Sequence, residues 1–190
     1  MKIDFIVPTL YRDTLASAIE SIDREVPHRK NVDGTDLNLN ILVEGSVKDK
    51  TGIGNRNSGL SKVKDSDWIV FLDDDDWLLK GFSRELDSEY DIVVLRMLQS
   101  YNNPYAIPKL IPPYHIKSEE LKAGWCGCNI AIKTSFYLKH KIKVNNVKSP
   151  DWDFLERLLK ETDKVKITPG IYYMAPLGGY NKKAPDGKKT

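Results

Sequence analysis

Residues 67–77 read Asp-Trp-Ile-Val-Phe-Leu-Asp-Asp-Asp-Asp-Trp, an apolar run from Trp68 to Leu72 that stops at four consecutive carboxylates, Asp73 to Asp76. An apolar run with no polar alternation is the pattern of a strand buried on both faces of a parallel sheet. In an open α/β sheet, ligands bind beyond the carboxyl ends of the strands, and the aspartates sit at such an end. Two carboxylates about 6 Å apart repel by roughly 3 kcal/mol at an effective dielectric of about 20. A divalent cation removes that penalty, and hard oxygen ligands favour Mg²⁺, Mn²⁺ or Ca²⁺ over zinc. A solvated acidic turn leading into the next helix is the competing reading; the position after a buried central strand favours the metal. On an extended chain Asp73 and Asp75 point one way and Asp74 and Asp76 the other. Asp76 is expected to start the following helix.

Outward from this stretch, strands and helices alternate. IDFIV (3–7) is a short β-rich run stopped by Pro8. From about Asp13, Leu15, Ala18, Ile19 and Ile22 fall on one helix face. LNILV (39–43) predicts a second strand ended by Glu44-Gly45-Ser46, and TGIGNRNSGLSKV a glycine-rich entry into a helix. A helix is expected over WLLKGFSREL (77–86), then a strand over IVVLRML (92–98). Pro104, Pro108, Pro112 and Pro113 exclude regular helix from 101–118 and leave edge strands or a surface loop. CNIAIK (128–133) predicts a strand and SFYLKHK a short helix. In SPDWDFLERLLKET, Ser149 is a natural N-cap and Pro150 fits the first helical position. VKITPGIYYM is a last extended segment. Strands alternating with helices predict an α/β fold, a mostly parallel central sheet with helices on both faces.

The chain has 190 residues, enough for one domain with a continuous core. Lys and Arg total 29 against 27 Asp and Glu, a net charge of +2 that gives no reason to expect nucleic acid as a partner. No apolar run has the length of a membrane span. On a strand, the C-x-C pair Cys126 and Cys128 would lie about 6.5–7 Å apart, at the limit for a disulfide, so both are read as reduced, in a cytoplasmic setting.

DWIVFLDDDDWL resembles the metal-binding D-x-D region of GT-A-fold (Rossmann-like) nucleotide-sugar glycosyltransferases, especially glycosyltransferase family 2. Three other segments are similar to that family in the same order: FIVPTLYR (5–12), its first strand and nucleotide loop; GIGNRNSGL (52–60), its A-R-N-x-G-L helix; and SPDWDFLERLL (149–159), its E-D-W-D-L-x-x-R-L helix. The resemblance implies one GT-A domain over 1–180. About 1–100 would be the nucleotide-sugar half, about 101–180 the acceptor half, and 181–190 a flexible basic tail.

It also implies roles. Asp75, with Asp73, would hold Mn²⁺ or Mg²⁺ against the donor diphosphate, while Asp73 and Asp74 lie near the donor. Pro8, Thr9, Leu10, Tyr11 and Arg12 would contact base and ribose. Glu44, standing where the family has an Asp-Asp-Gly-Ser run, would accept from a uracil N–H. Arg56 and Asn57 match the A-R-N signature, with Asn55 in place of alanine. Asp151 would be the catalytic base of an inverting transfer, although Pro150 replaces the family's glutamate; Asp153 is the alternative, on the acceptor side with Trp125. No histidine follows in YYMAPLGGYN, so aspartates, phosphates and water would complete the metal shell. The implied activity is transfer of a hexosyl-type sugar from a UDP-sugar to a hydroxyl on a glycan or glycoconjugate. The alternatives are a nucleotidyltransferase and a non-catalytic carbohydrate- or metal-binding module. The chain is shorter than most of that family and would suit a minimal module or one part of a multidomain protein.

Overall fold

The computed structural model describes residues 1–9, 13–24, 37–45, 52–100 and 107–176. Its centre is an eight-stranded sheet in the order β2-β1-β3-β7-β5-β8-β4, with β6 on the side of β5. The strands are β1 (Lys2–Thr9), β2 (Asn38–Gly45), β3 (Trp68–Phe71), β4 (Trp77–Leu78), β5 (Ile92–Gln99), β6 (Lys109–Ile111), β7 (Ile130–Lys133) and β8 (Val165–Ala175). The long ladders, β1 with β2 and β5 with β8, are parallel, as is β1 with β3. β7 runs antiparallel between β3 and β5, and the short β4 and β6 pair antiparallel at the margin. The sheet is therefore mostly parallel, with its inverted strands short.

Alternation along each strand builds two apolar layers. Ile3, Phe5 and Val7 of β1, Trp68 and Val70 of β3, and Val93 and Leu95 of β5 share one layer with Ala18 and Ile22 of α1 (Leu15–Asp23). Ile6, Ile69, Phe71, Ile92 and Val94 face the other way. They pack with α2 (Ile53–Lys62), α3 (Thr134–His140) and α4 (Pro150–Leu159). Both faces are covered, which is why these strands are apolar throughout. Helix α2 lies very close to β1: a Cβ on Gly59 would stand 2.5 Å from Cγ2 of Ile6.

Five expectations change. β1 does not stop at Pro8 but continues to Thr9. β3 pairs with β1 only as far as Ile6, so Pro8 lies where one side of the strand is already an edge and its missing N–H is tolerated. The helix expected over 77–86 is absent. Trp77 and Leu78 instead pair with Met174 and Tyr173, Ser21 Oγ accepts the Leu78 N–H at 3.1 Å, and Gly81 adopts φ +89°, leaving a single 3₁₀ turn over Phe82–Glu85. Pairing with β8 overrides a helix-compatible sequence. Helix α4 ends at Leu159, short of Thr162, whose hydroxyl bonds Asp91 Oδ2 at 2.8 Å. At its start Pro150 takes the first turn, but Ser149 makes no side-chain cap; its carbonyl accepts the Asp153 N–H instead. Cys126 and Cys128 lie before β7 rather than on a strand, and both are free thiols.

Residues 107–118 carry the edge strand β6 and a proline loop with a cis Ile111–Pro112 bond. Arg96, a buried cation on β5, anchors that loop by donating to the carbonyls of Pro112 and Pro113, both at 2.6 Å.

Candidate active site

β3 ends at Phe71, and the aspartates follow as a turn rather than an extended chain: the Asp76 N–H donates to the Asp73 carbonyl at 3.0 Å. The simple two-face alternation therefore does not hold. Asp73 and Asp74 meet different elements. Asp74 is buried, and its Oδ2 accepts the Thr9 hydroxyl from the end of β1 at 2.7 Å. Asp73 Oδ1 accepts from Arg56 Nη2 of α2 at 2.6 Å, and the Asp73 backbone N–H donates to the Tyr173 hydroxyl of β8 at 3.2 Å. Asp75 is 8% exposed. Asp76 starts no helix, because β4 follows directly.

Burial, and then the carboxylates of Asp73 and Asp75, push the Asp76 carboxyl well above the usual range, while Tyr173 and Arg56 pull the other way. Burial, followed by Asp76 and Asp73, likewise raises the Tyr173 phenol, so it stays a neutral donor. The turn gathers four carboxyl groups, Asp73 to Asp76, whose oxygens are hard ligands. Among the described residues no three Asp, Glu, His or Cys side chains gather into a cage for an ion. The donor set fits a Mg²⁺ or Mn²⁺ that takes one or two carboxylates and completes its shell with phosphate and water.

Arg56 links this turn to α4. Its side chain is 9% exposed; Nη2 also contacts Cys128 Sγ at 2.8 Å, and Nη1 stands 3.9 Å from Asp151 Oδ1. Burial opposes the charge of Arg56, but Asp73, Cys128 and Asp151 outweigh it and raise its pKa further. Cys128, pushed up chiefly by burial, is a thiol that donates to Asp151 Oδ1 at 3.3 Å. Cys126 is pushed up to about 12 by burial and by Asp151. The side chains of Asp73 and Asp151 are 32% and 35% exposed, so both carboxylates flanking the guanidinium open to solvent.

The remaining candidates divide. Pro8 and Thr9 end β1 beside the turn, and Asn55 Nδ2 donates to the Thr9 carbonyl at 3.3 Å. Leu10, Tyr11 and Arg12 lie outside the described residues. Glu44 is engaged within the fold: Ser58 donates to Oε2 at 2.8 Å and Lys62 to Oε1 at 2.5 Å, tying β2 to α2. Asn57 is spent on the backbone of Val144, accepting its N–H and donating to its carbonyl, both at 2.9 Å. Asp153 accepts from Arg157, four residues on, and from Asn145, which fixes it as a brace of α4. Trp125 is half-buried, with Lys122 Nζ 4.1 Å from its ring centroid. A cavity of about 630 Å³ opens at the opposite end of the sheet, against Asp67, Trp68 and Lys133, and holds none of these groups.

Sequence reasoning missed Tyr173 and Cys128. Cys128 stood next to a strand and was legible only as a buried thiol. Tyr173 was one aromatic in VKITPGIYYM with no local sign of its partner.

The sheet order and the covering helices are those of the GT-A fold. S. aureus TarS 1–349 superposes with a TM-score of 0.65 at 15% identity, over 93% of this chain and 60% of that one. The same protein in complex with UDP gives 0.64 at 14% identity, over 93% and 61%. The catalytic domain of Drosophila β1,4-galactosyltransferase 7 in complex with xylobiose gives 0.58 at 18% identity, over 90% and 66%. The chain thus spans about 60% of the length of TarS 1–349. No protein-family model matches the sequence, and no curated protein matches it.

Proposed function

We propose that this protein is a metal-dependent glycosyltransferase, similar to family 2. It transfers a hexosyl-type sugar from a UDP-sugar to a hydroxyl on a glycan or glycoconjugate, with inversion. The observation that carries this reading is the meeting of Asp73, from the turn after β3, and Asp151, from α4, at one buried guanidinium. Fold neighbours solved with UDP, with UDP-GlcNAc, and with manganese, UDP-Gal and xylobiose support the choice of donor and metal.

In this reading Asp75 and Asp73 hold Mn²⁺ or Mg²⁺, which when bound offsets the charge that grows on the departing diphosphate. Thr9 holds Asp74 inward and fixes the near edge of the donor turn. Arg56 keeps Asp73 and Asp151 in register across the cleft. Asp151, at the start of α4 where the helix dipole favours a carboxylate, takes the proton of the acceptor hydroxyl as its oxygen attacks the face of the sugar opposite the leaving group. Trp125 offers a ring for acceptor stacking. Glu44 and Asn57, both committed within the fold, leave base recognition to other groups at this rim. The assignment covers one domain over 1–180, with a donor half and an acceptor half. No helix among the described residues is long and apolar enough to cross a membrane. Two free thiols fit a cytoplasmic location.

The test is UDP release from a panel of UDP-sugars with and without Mn²⁺. Turnover that needs Mn²⁺ and is lost in Asp75→Ala supports the assignment. Turnover unchanged in that variant would sink the metal role, and no UDP binding at all would sink the function.

A further inference from the structure

Tyr173 reaches the acidic turn from the last strand of the sheet. Its ring is fully buried in the core, and its backbone is locked opposite Leu78 and Met97 by pairing on both sides. Its hydroxyl accepts the backbone N–H of Asp73, where the turn begins, at 3.2 Å. That bond sets the spacing between the start of the turn and β8. Pairing of β4 with β8 reinforces that spacing, because the strand leaving the turn is registered against the strand that carries the phenol.

We propose that Tyr173 is a positioning residue for metal capture: its hydroxyl holds the start of the Asp73–Asp76 turn in a metal-ready shape against β8. The inference rests on the donor-site reading above. Groups that orient metal-binding carboxylates by hydrogen bonding commonly change metal affinity by roughly ten- to a hundredfold when removed. The adjacent tyrosine supplies an internal control. Tyr172 sits on the same strand, and its hydroxyl bonds Glu85 Oε1 at 2.8 Å, away from the turn.

The experiment is Mn²⁺ titration followed by electron paramagnetic resonance in the presence of UDP, on the wild type, Tyr173→Phe and Tyr172→Phe. Tyr173→Phe keeps the ring and loses the hydroxyl. The expected result is Mn²⁺ binding weakened roughly ten- to a hundredfold in Tyr173→Phe and unchanged in Tyr172→Phe. Wild-type affinity in Tyr173→Phe, or equal weakening in both variants, overturns the role. A wild type that binds neither UDP nor Mn²⁺ overturns the donor-site reading and this role with it. If Tyr173→Phe does not fold, ¹³Cζ-tyrosine spectra of the wild type decide. Mn²⁺–UDP, compared with Mg²⁺–UDP, should broaden the Tyr173 signal far more than that of Tyr172, and equal broadening contradicts the proposal.

Discussion

Two parallel strands deliver acid to the same rim of the sheet. β2 carries Glu44 one residue before its end at Gly45, and β3 leads into the turn from Asp73 to Asp76. Glu44 is neutralised within the fold: one carboxylate oxygen takes the Ser58 hydroxyl and the other the Lys62 ammonium. The Asp73–Asp76 turn is treated differently. Among the described residues it draws on three different elements: Arg56 of α2 donates to Asp73, Thr9 of β1 donates to Asp74, and the Tyr173 hydroxyl of β8 accepts the Asp73 N–H. Equal topology thus hides different wiring. Glu44 ties one strand to one helix, whereas the turn is the meeting point of β1, α2 and β8 and is the place where the proposed function puts a cation.

The contrast can be broken by mutation, from the largest effect to the smallest. Asp151→Asn should lower sugar transfer by roughly 10²–10⁴-fold, the usual cost of a lost general base, while UDP affinity measured by calorimetry stays near wild type. A similar loss of UDP binding would place Asp151 on the donor instead. Asp75→Ala should lower Mn²⁺-dependent turnover by about 10²-fold or more, whereas Glu44→Gln, at the neighbouring strand end, should leave it within about twofold of wild type. A large loss in Glu44→Gln would return that residue to the donor site.

Stability offers a gentler comparison. Mn²⁺ with UDP at a hundredfold excess over Kd should stabilise the native protein by about 2.7 kcal/mol. In a thermal melt that gain should persist in Glu44→Gln and vanish in Asp75→Ala. Gly59→Ala should cost about 1–3 kcal/mol in a denaturant melt, because the added methyl meets Ile6 where α2 packs on β1. A neutral result would mean that α2 can lift from the sheet. Smallest of all, Glu44→Gln should cost about 1 kcal/mol, since its partner Lys62 is half exposed and the pair is screened.

What could be read from the sequence follows the range of the forces involved. α1 was legible from its helical period, β1, β3 and β5 from short apolar runs, and α2 and α4 from the residues at their starts. The brace between Asp153 and Arg157 was also within reach, as an i,i+4 pair on one helix face. β4 was not legible: Trp77 and Leu78 owe their conformation to Met174 and Tyr173, far along the chain. The same holds for side-chain roles. That the turn after β3 carries acid is plain from the sequence. Which partner each aspartate takes depends on Thr9, Arg56 and Tyr173, brought together from three other elements. Glu44 and Asn57 looked like ligand contacts because they sit at the right rim, and only their bonds to Lys62, Ser58 and Val144 show them committed elsewhere.

The most direct test of the central claim is a crystal structure of the complex with Mn²⁺ and a non-hydrolysable UDP-sugar. The account predicts the ion bridging the diphosphate and Asp75 of the acidic turn, with Asp151 across the anomeric carbon from the leaving group. A nucleotide bound away from this turn, or Asp151 on the same side as the diphosphate, would contradict it.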